Sequence, residues 1–238
     1  MSIHGHGPEG ALPVKQERSR QLRDKALAHT RELVDQGRFS STSMAQIAAA
    51  VGCSVGALYF RFRDKEALIA SVVEVAMAQE LQAQAAQVAA GRYRGLPLRE
   101  TVDRCVQDYA GFVHKNEGLI RSLYQRLQVE PRHWAIVRQT AYRMVQGWIE
   151  AVSQAAERAG DREFIGQVGI AFQFVSSTLV FQVLNDKPVR PLGKRTLTFW
   201  LAEMVMHFIG LEVPASLRRA PVARPVVPPP AESAPRRR

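Results

Sequence analysis

Two cysteines, Cys53 and Cys105, are all that 238 residues contain. So few exclude a disulfide framework, and each thiol reads as a small buried hydrophobe rather than a redox centre. Histidine is sparse too: six, at positions 4, 6, 29, 114, 133 and 207. Their spacing neither gathers metal ligands on one face nor supports a nucleophile, and there is no glycine-rich phosphate loop. His4 and His6 sit in a Gly- and Pro-rich arm without a third ligand, so no metal is expected there. Neither a catalytic residue nor a cofactor is expected, and the chain does not read as an enzyme. Strand-like alternation, hairpin signals and internal repeats are missing as well. What remains is an all-α chain. No apolar leader opens it, and the compartment that fits is the cytoplasm.

Acidic residues are outnumbered, with 22 Asp and Glu against 32 Lys and Arg, for a net charge of +10. The excess lies at the two ends. Residues 1–68 hold 10 basic and 7 acidic side chains, residues 214–238 hold 6 and 1, and the long middle holds 16 and 14. Basic ends favour a polyanionic partner, whose counterions are released on binding. A near-neutral middle with 46% hydrophobic residues overall can bury a substantial core.

Residues 1–14 lack apolar periodicity and read as a disordered arm. A helix follows from Lys15 to Gln36, carrying Leu22, Ala26, Leu27, Leu33 and Val34 at three- and four-residue steps and stopped by Gly37. Its Arg18, Arg20 and Arg23 read either as phosphate contacts or as a solvated face. A long helix is expected over Asp64–Ala90, broken by Gly91, Gly95 and Pro97. Further helices are expected over Leu98–Lys115, Glu117–Val129, Pro131–Ala159, Glu163–Asn185 and Gly193–Gly210, with Gly160 after a helix end. Residues 214–238 hold 7 of the 13 prolines and read as a disordered basic tail.

The most informative stretch is Thr42–Leu68, TSMAQIAAAVGCSVGALYFRFRDKEAL. Ser43 and Gln46 have the spacing of a capping box, so a short helix starts there. Ile47 and Val51 turn to a core, and Gly52 supplies the positive φ that ends the helix. Ser54 then caps a second short helix. Leu58 and Phe62, four apart, anchor it, leaving Val55, Gly56, Ala57 and Phe60 outward beside Arg61, Arg63 and Lys65. Two short helices about a tight glycine turn, with an outward face of small and aromatic groups among cations, suit a helix-turn-helix in a major groove. Lys65, in the first turn of the next helix, is badly placed for the helix dipole unless a phosphate lies near.

This run, with Thr42, Ile47-Ala48, Gly52, Ser54, Leu58-Tyr59, Phe62 and Lys65-Glu66 in joint spacing, resembles the DNA-binding signature of the TetR (tetracycline repressor) family of bacterial regulators. The resemblance covers about 27 residues. It implies a three-helix DNA-binding domain over 15–68 and a helical effector-binding and dimerisation domain over 69–213. It also implies a dimer on a palindromic double-stranded operator, most simply a repressor released by a small-molecule effector. Base contacts would come from Val55, Gly56, Ala57 and Phe60; Thr42, Ser43, Ser54, Tyr59, Arg61 and Lys65 would hold phosphates. Arg61 departs from the family, which often has His or Tyr there, and its length brings guanine within reach. An activator on the same fold, or a helical small-molecule binder without specific DNA affinity, are the competing readings.

Candidate effector walls are the large aromatics Tyr109, Phe112, Tyr124, Trp134, Tyr142, Trp148, Phe172 and Phe174, whose plainer reading is core. Gly166–Asn185 contains no charged residue and nearly spans a bilayer in length, but Gln167, Gln173, Gln182 and Ser176-Ser177-Thr178 are spread along it. A buried dimer helix, paired with Phe199, Trp200, Met204, Val205 and Phe208 of the last helix, is the preferred reading over a membrane span. Core within one subunit is its other competitor.

Overall fold

The computed structural model describes residues 11–125, 131–185 and 192–211. Among these there are helices and no strands. They are α1 (Ala11–Asp35), α2 (Met44–Val51), α3 (Val55–Arg61), α4 (Lys65–Ala89), α5 (Leu98–Lys115), α6 (Glu117–Gln125), α7 (Pro131–Ala155), α8 (Arg162–Leu184) and α9 (Lys194–Ile209), with a single 3-10 turn at Phe39–Ser41. The chain divides into two compact units, the first ending at Val75 and the second beginning at Ala76.

In the first unit, α1 begins at Ala11, inside the stretch read as an arm. Pro13 does not prevent this, because a first-turn residue needs no intrahelical N–H bond. At the other end Gly37 takes φ 68°, and the Arg38 and Gly37 amides donate to the Leu33 and Val34 carbonyls. These are the paired bonds that close a helix terminus. The core of the unit joins Ala26, Leu33 and Val34 of α1, Phe39 of the 3-10 turn, Ile47 and Ala48 of α2, Leu58 and Phe62, and Leu68, Ile69 and Val72 of α4, all buried. Val51 is only half-buried.

The second unit centres on Val102, Val106 and Tyr109 of α5, Trp148 and Val152 of α7, Val168, Phe172 and Val175 of α8, and Val205 of α9, each at most 1% exposed. Val205 therefore belongs to the core of its own chain and not to an outward face of α9. Helix α7 also differs from its sequence reading, ending at Ala155 rather than running on to Ala159. The left-handed residue is Glu157, at φ 58°, with Arg158 and Glu157 amides donating to Ser153 and Gln154. Gly160 plays no part in that stop, although a non-glycine residue in this conformation costs about 1–2 kcal/mol. Asp161 then caps α8, its carboxylate accepting from the Glu163 and Phe164 amides at 3.0 and 3.1 Å. Those amides, the Phe164 one foremost, and Arg158 hold the carboxyl below the usual range.

An 18-residue window of α8 has a mean hydropathy of 1.6, enough with the helix's length to cross a membrane by composition. One face, from Phe164 through Val168, Phe172, Val175 and Leu179 to Val183, is core. Ile170, Phe174 and Phe181 emerge on another face, at 51, 46 and 52% exposure.

Candidate nucleic-acid interface

Three local hydrogen-bond sets shape the α2–α3 hairpin. Ser43 Oγ accepts from the Gln46 amide at 3.2 Å while Gln46 Oε1 accepts from the Ser43 amide at 2.7 Å. Gly52 ends α2 in the left-handed region at φ 75°, with the Cys53 amide on the Ala48 carbonyl. Ser54 Oγ accepts from the Ala57 amide at 3.1 Å and starts α3. Each cap contributes about 1 kcal/mol, and the two helices meet at 105°, inside the range of about 90–120° for a helix-turn-helix.

Helix α3 then has two faces. Leu58 is 0% exposed and Phe62, its C-cap residue, is 4% exposed; Phe60 is 91% exposed. Tyr59 and Val55 are exposed with it, as is Gly56, and Ala57 is half-buried. A Cβ at Gly56 would meet nothing within 4 Å, so that position leaves an open notch beside Val55 and Phe60. A nearly free phenyl ring has no stabilising role in the chain itself. Beside a notch of small groups, it can enter a groove and meet a thymine methyl.

The residues assigned to phosphates fall into two sets. Ser43 and Ser54 are exposed caps, and the half-buried Thr42 bonds the Arg38 carbonyl through Oγ1 at 2.9 Å. Arg61 and Lys65 are engaged within the protein. Arg61 Nη2 donates to Ser19 Oγ of α1, and its Nε is buried without a hydrogen-bond partner. Lys65 Nζ donates to the Ser40 carbonyl at 2.9 Å and lies 4.7 Å from the centre of the Phe39 ring. The conflict between Lys65 and the α4 dipole is thus met inside the chain, by a carbonyl and an aromatic face. Asp64 caps α4 through the Ala67 amide at 2.7 Å. That amide first, then Arg63, lowers its pKa.

Of the aromatics assigned to an effector, four converge. Tyr109 stacks on Phe112 at 5.8 Å and meets Trp148 edge-on at 5.1 Å, and Trp148 stacks on Phe172 at 5.8 Å. Tyr109 OH also bonds Ser176 Oγ. Tyr124, Tyr142 and Phe174 are 49, 41 and 46% exposed and stand apart from this cluster. The Trp134 side chain lies outside the described residues. Phe112 and Trp148 border a cavity of about 290 Å³ together with Glu80, Gln84, Tyr93 and Asp108.

Sequence reasoning missed the polar side of that cavity. Gly91 and Gly95, at φ 81° and 68°, turn the chain out of α4 and aim the two residues after Gly91 at α5. Arg92 Nε donates to Asp108 Oδ2 at 2.6 Å, and Tyr93 OH donates to the same oxygen at 2.7 Å. Trp148 Nε1 donates to Tyr93 OH at 2.9 Å. Burial, reinforced by Asp108, pushes the Tyr93 phenol far above its ordinary value. Asp108 does the same for the Arg92 guanidinium.

Residues 26–72 match the family model of bacterial regulatory proteins, tetR family. No curated protein matches the sequence. Among solved structures, the chain is similar to a protein assigned to the TetR family of transcriptional regulators from Mesorhizobium loti MAFF303099. The TM-score is 0.62 at 17% identity, covering 82% of this chain and 96% of that one. The TetR-family regulator PfmR from Thermus thermophilus gives 0.55 at 19% identity, covering 79% and 99%. A regulator of the TetR/AcrR family from Thermobifida fusca gives 0.56 at 16%, covering 83% and 100%. At these identities the likeness is one of fold.

Proposed function

We propose, for a chain whose 26–72 segment is a tetR-family domain and whose fold is that of TetR-type transcriptional regulators, that it is a dimeric repressor. It binds a palindromic operator and is released by a small molecule. The observation that carries the reading is the division of α3, with Leu58 and Phe62 in the core and Phe60 91% exposed. Val55, Gly56, Ala57 and Phe60 read bases. Thr42, Ser43, Ser54 and Tyr59 contact phosphates, and Arg61 and Lys65 reach them on leaving Ser19 and Ser40. Two copies of α3 then enter major grooves one helical turn apart, about 34–36 Å, or a multiple of it.

The dimer reading rests on the outward face of α8 and α9. Phe199 and Trp200 are 51 and 58% exposed and pack edge to face at 5.4 Å; Phe174 meets Phe208 at 5.8 Å. Together with Ile170 and Phe181 they form an apolar surface that a second copy covers in a four-helix contact. The effector enters the cavity under Trp148 and shifts the population toward a form of low operator affinity, limited by its differential affinity for the two forms.

The test is selection of bound fragments from the source genome, followed by an operator shift assay and sedimentation of the purified protein. A palindromic consensus bound by two copies is the expected result. A single-subunit species with no preference for any fragment over random duplex overturns the reading.

A further inference from the structure

A second cavity, of about 380 Å³, lies among α5, α6, α8 and α9. Small-molecule sites run from about 300 to 1,000 Å³, so it is large enough to hold a ligand. Its walls are mostly apolar: Val113, Leu179 and Val183 are buried and Leu197 is half-buried, with Gln182 and Thr198 between them. One side of its rim carries Lys194 and His114, with the Glu117 carboxylate beside them. Lys194 Nζ meets His114 Nε2 there, and His114 Nδ1 faces Glu117 Oε2 at 3.4 Å. With Lys194 as donor, the Nε2 of the His114 ring accepts. Glu117 also pairs with Arg121 at 3.0 Å. Lys194 therefore rests on a ring nitrogen rather than on a carboxylate.

The backbone adds charge of the same sign. Lys194 opens α9, followed by Arg195, and the first turn has no acidic residue and no side-chain cap. The start of a helix carries partial positive charge that repels both cations. A carboxylate at this rim relieves that repulsion and gives Lys194 a charged partner, while an alkyl chain attached to it covers the apolar walls.

From the walls and the rim together we infer that this cavity binds an amphipathic monocarboxylate of the medium-chain fatty-acid type. The tail lies against Val113, Leu179 and Val183, and the carboxylate accepts from Lys194 Nζ. This site is separate from the one under Trp148, since Gly111 alone borders both among the described residues. The inference goes beyond the repressor reading and does not depend on operator binding.

The test is isothermal titration of the full chain with octanoate, and with 1-octanol as the uncharged probe. Three variants are compared: Lys194→Gln, Ala110→Leu, which fills this cavity, and Ala83→Leu, which narrows the other. Circular dichroism checks that each keeps the parent helicity. Octanoate is expected to saturate one site per chain, and Lys194→Gln to weaken it about tenfold through loss of a charge-assisted hydrogen bond. Ala110→Leu abolishes binding and Ala83→Leu leaves it unchanged. Octanol binds more weakly than octanoate and is indifferent to Lys194→Gln. The proposal is overturned by absence of saturable octanoate binding, by parent-like affinity in Lys194→Gln, or by loss in Ala83→Leu in place of Ala110→Leu. Should Ala110→Leu lose helicity, Lys194→Gln and the octanol comparison decide alone.

Discussion

Phe60 and Leu58 stand two residues apart on α3 with opposite surroundings, 91% and 0% exposed. Replacing Phe60 by alanine removes a ring that touches almost nothing in the free protein, so stability should change by no more than about 0.5 kcal/mol. On the proposed operator the same change would remove the apolar contact with a thymine methyl. Losing the preference at one base pair of a specific site typically costs about 1–3 kcal/mol, which converts to roughly 5- to 150-fold in affinity for the preferred sequence. Affinity for a scrambled duplex, carried by phosphates, should stay within about twofold and keep its salt slope. Leu58→Ala is the counterpart, because a cavity in the core of the first unit costs about 2–5 kcal/mol and should unfold that unit before any DNA effect is read. Fluorescence anisotropy on a genome-selected duplex and its scrambled version, each at two salt concentrations, measures the first effect; thermal circular dichroism measures the second. If Phe60→Ala weakens both duplexes by one factor, or lowers the melting temperature as far as Leu58→Ala does, the division of α3 into a reading face and an anchoring face is wrong.

Ser19→Ala removes the acceptor of Arg61 Nη2 while Nε is already buried without a partner. Such a bond to a charged group is worth about 1.5–3 kcal/mol when buried and about 1 kcal/mol at this half-buried site. Amide exchange in α3 should therefore quicken while that in α8 does not; unchanged protection of α3 would refute the brace. Burial raises the pKa of the Cys105 thiol and, with Asp108 as the second cause, of the Tyr93 phenol above their ordinary 9.0 and 10.0. Both groups are held neutral in the folded state, so their contribution is complete below pH 9 and is lost as pH rises, when the unfolded chain ionises first. Chemical denaturation from pH 7 to 11 should show stability falling above pH 9, with a shallower fall above pH 10 in Tyr93→Phe; identical slopes would disprove it. For the proposed dimer face, Phe181→Glu combined with Trp200→Glu should sediment as a single subunit with unchanged helicity, since both rings are more than half exposed. The parent mass in that variant would remove α8 and α9 from the interface.

The features legible in the sequence are those that depend on neighbours a few residues away. Ser43 with Gln46, the bonds that close α2 at Gly52, and Ser54 with Ala57 are contacts spanning at most five residues, and the caps of α2 and α3 were legible from spacing alone. The end of α7 was not, because Glu157 accepts a left-handed conformation that glycine normally takes. Lys65 looked like a cation awaiting a phosphate, since its actual partner, the Ser40 carbonyl, lies 25 residues back. The aromatics show the same limit. Tyr109, Phe112, Trp148 and Phe172 converge while Tyr124, Tyr142 and Phe174 lie outside their cluster, and no local pattern separates the two groups.

Local bonding and hydrophobic period determined the helices, the turn between α2 and α3, and the outward set on α3, because each follows from backbone geometry within one or two turns of chain. Tertiary structure decided the pairing of Arg61 with Ser19, the Arg92–Tyr93–Asp108–Trp148 network and both cavities. Those contacts join residues far apart in the chain, from 15 positions for Tyr93 with Asp108 to 55 for Tyr93 with Trp148. Which partner wins at such separations is set by how whole helices pack, and packing is a property of the assembled unit.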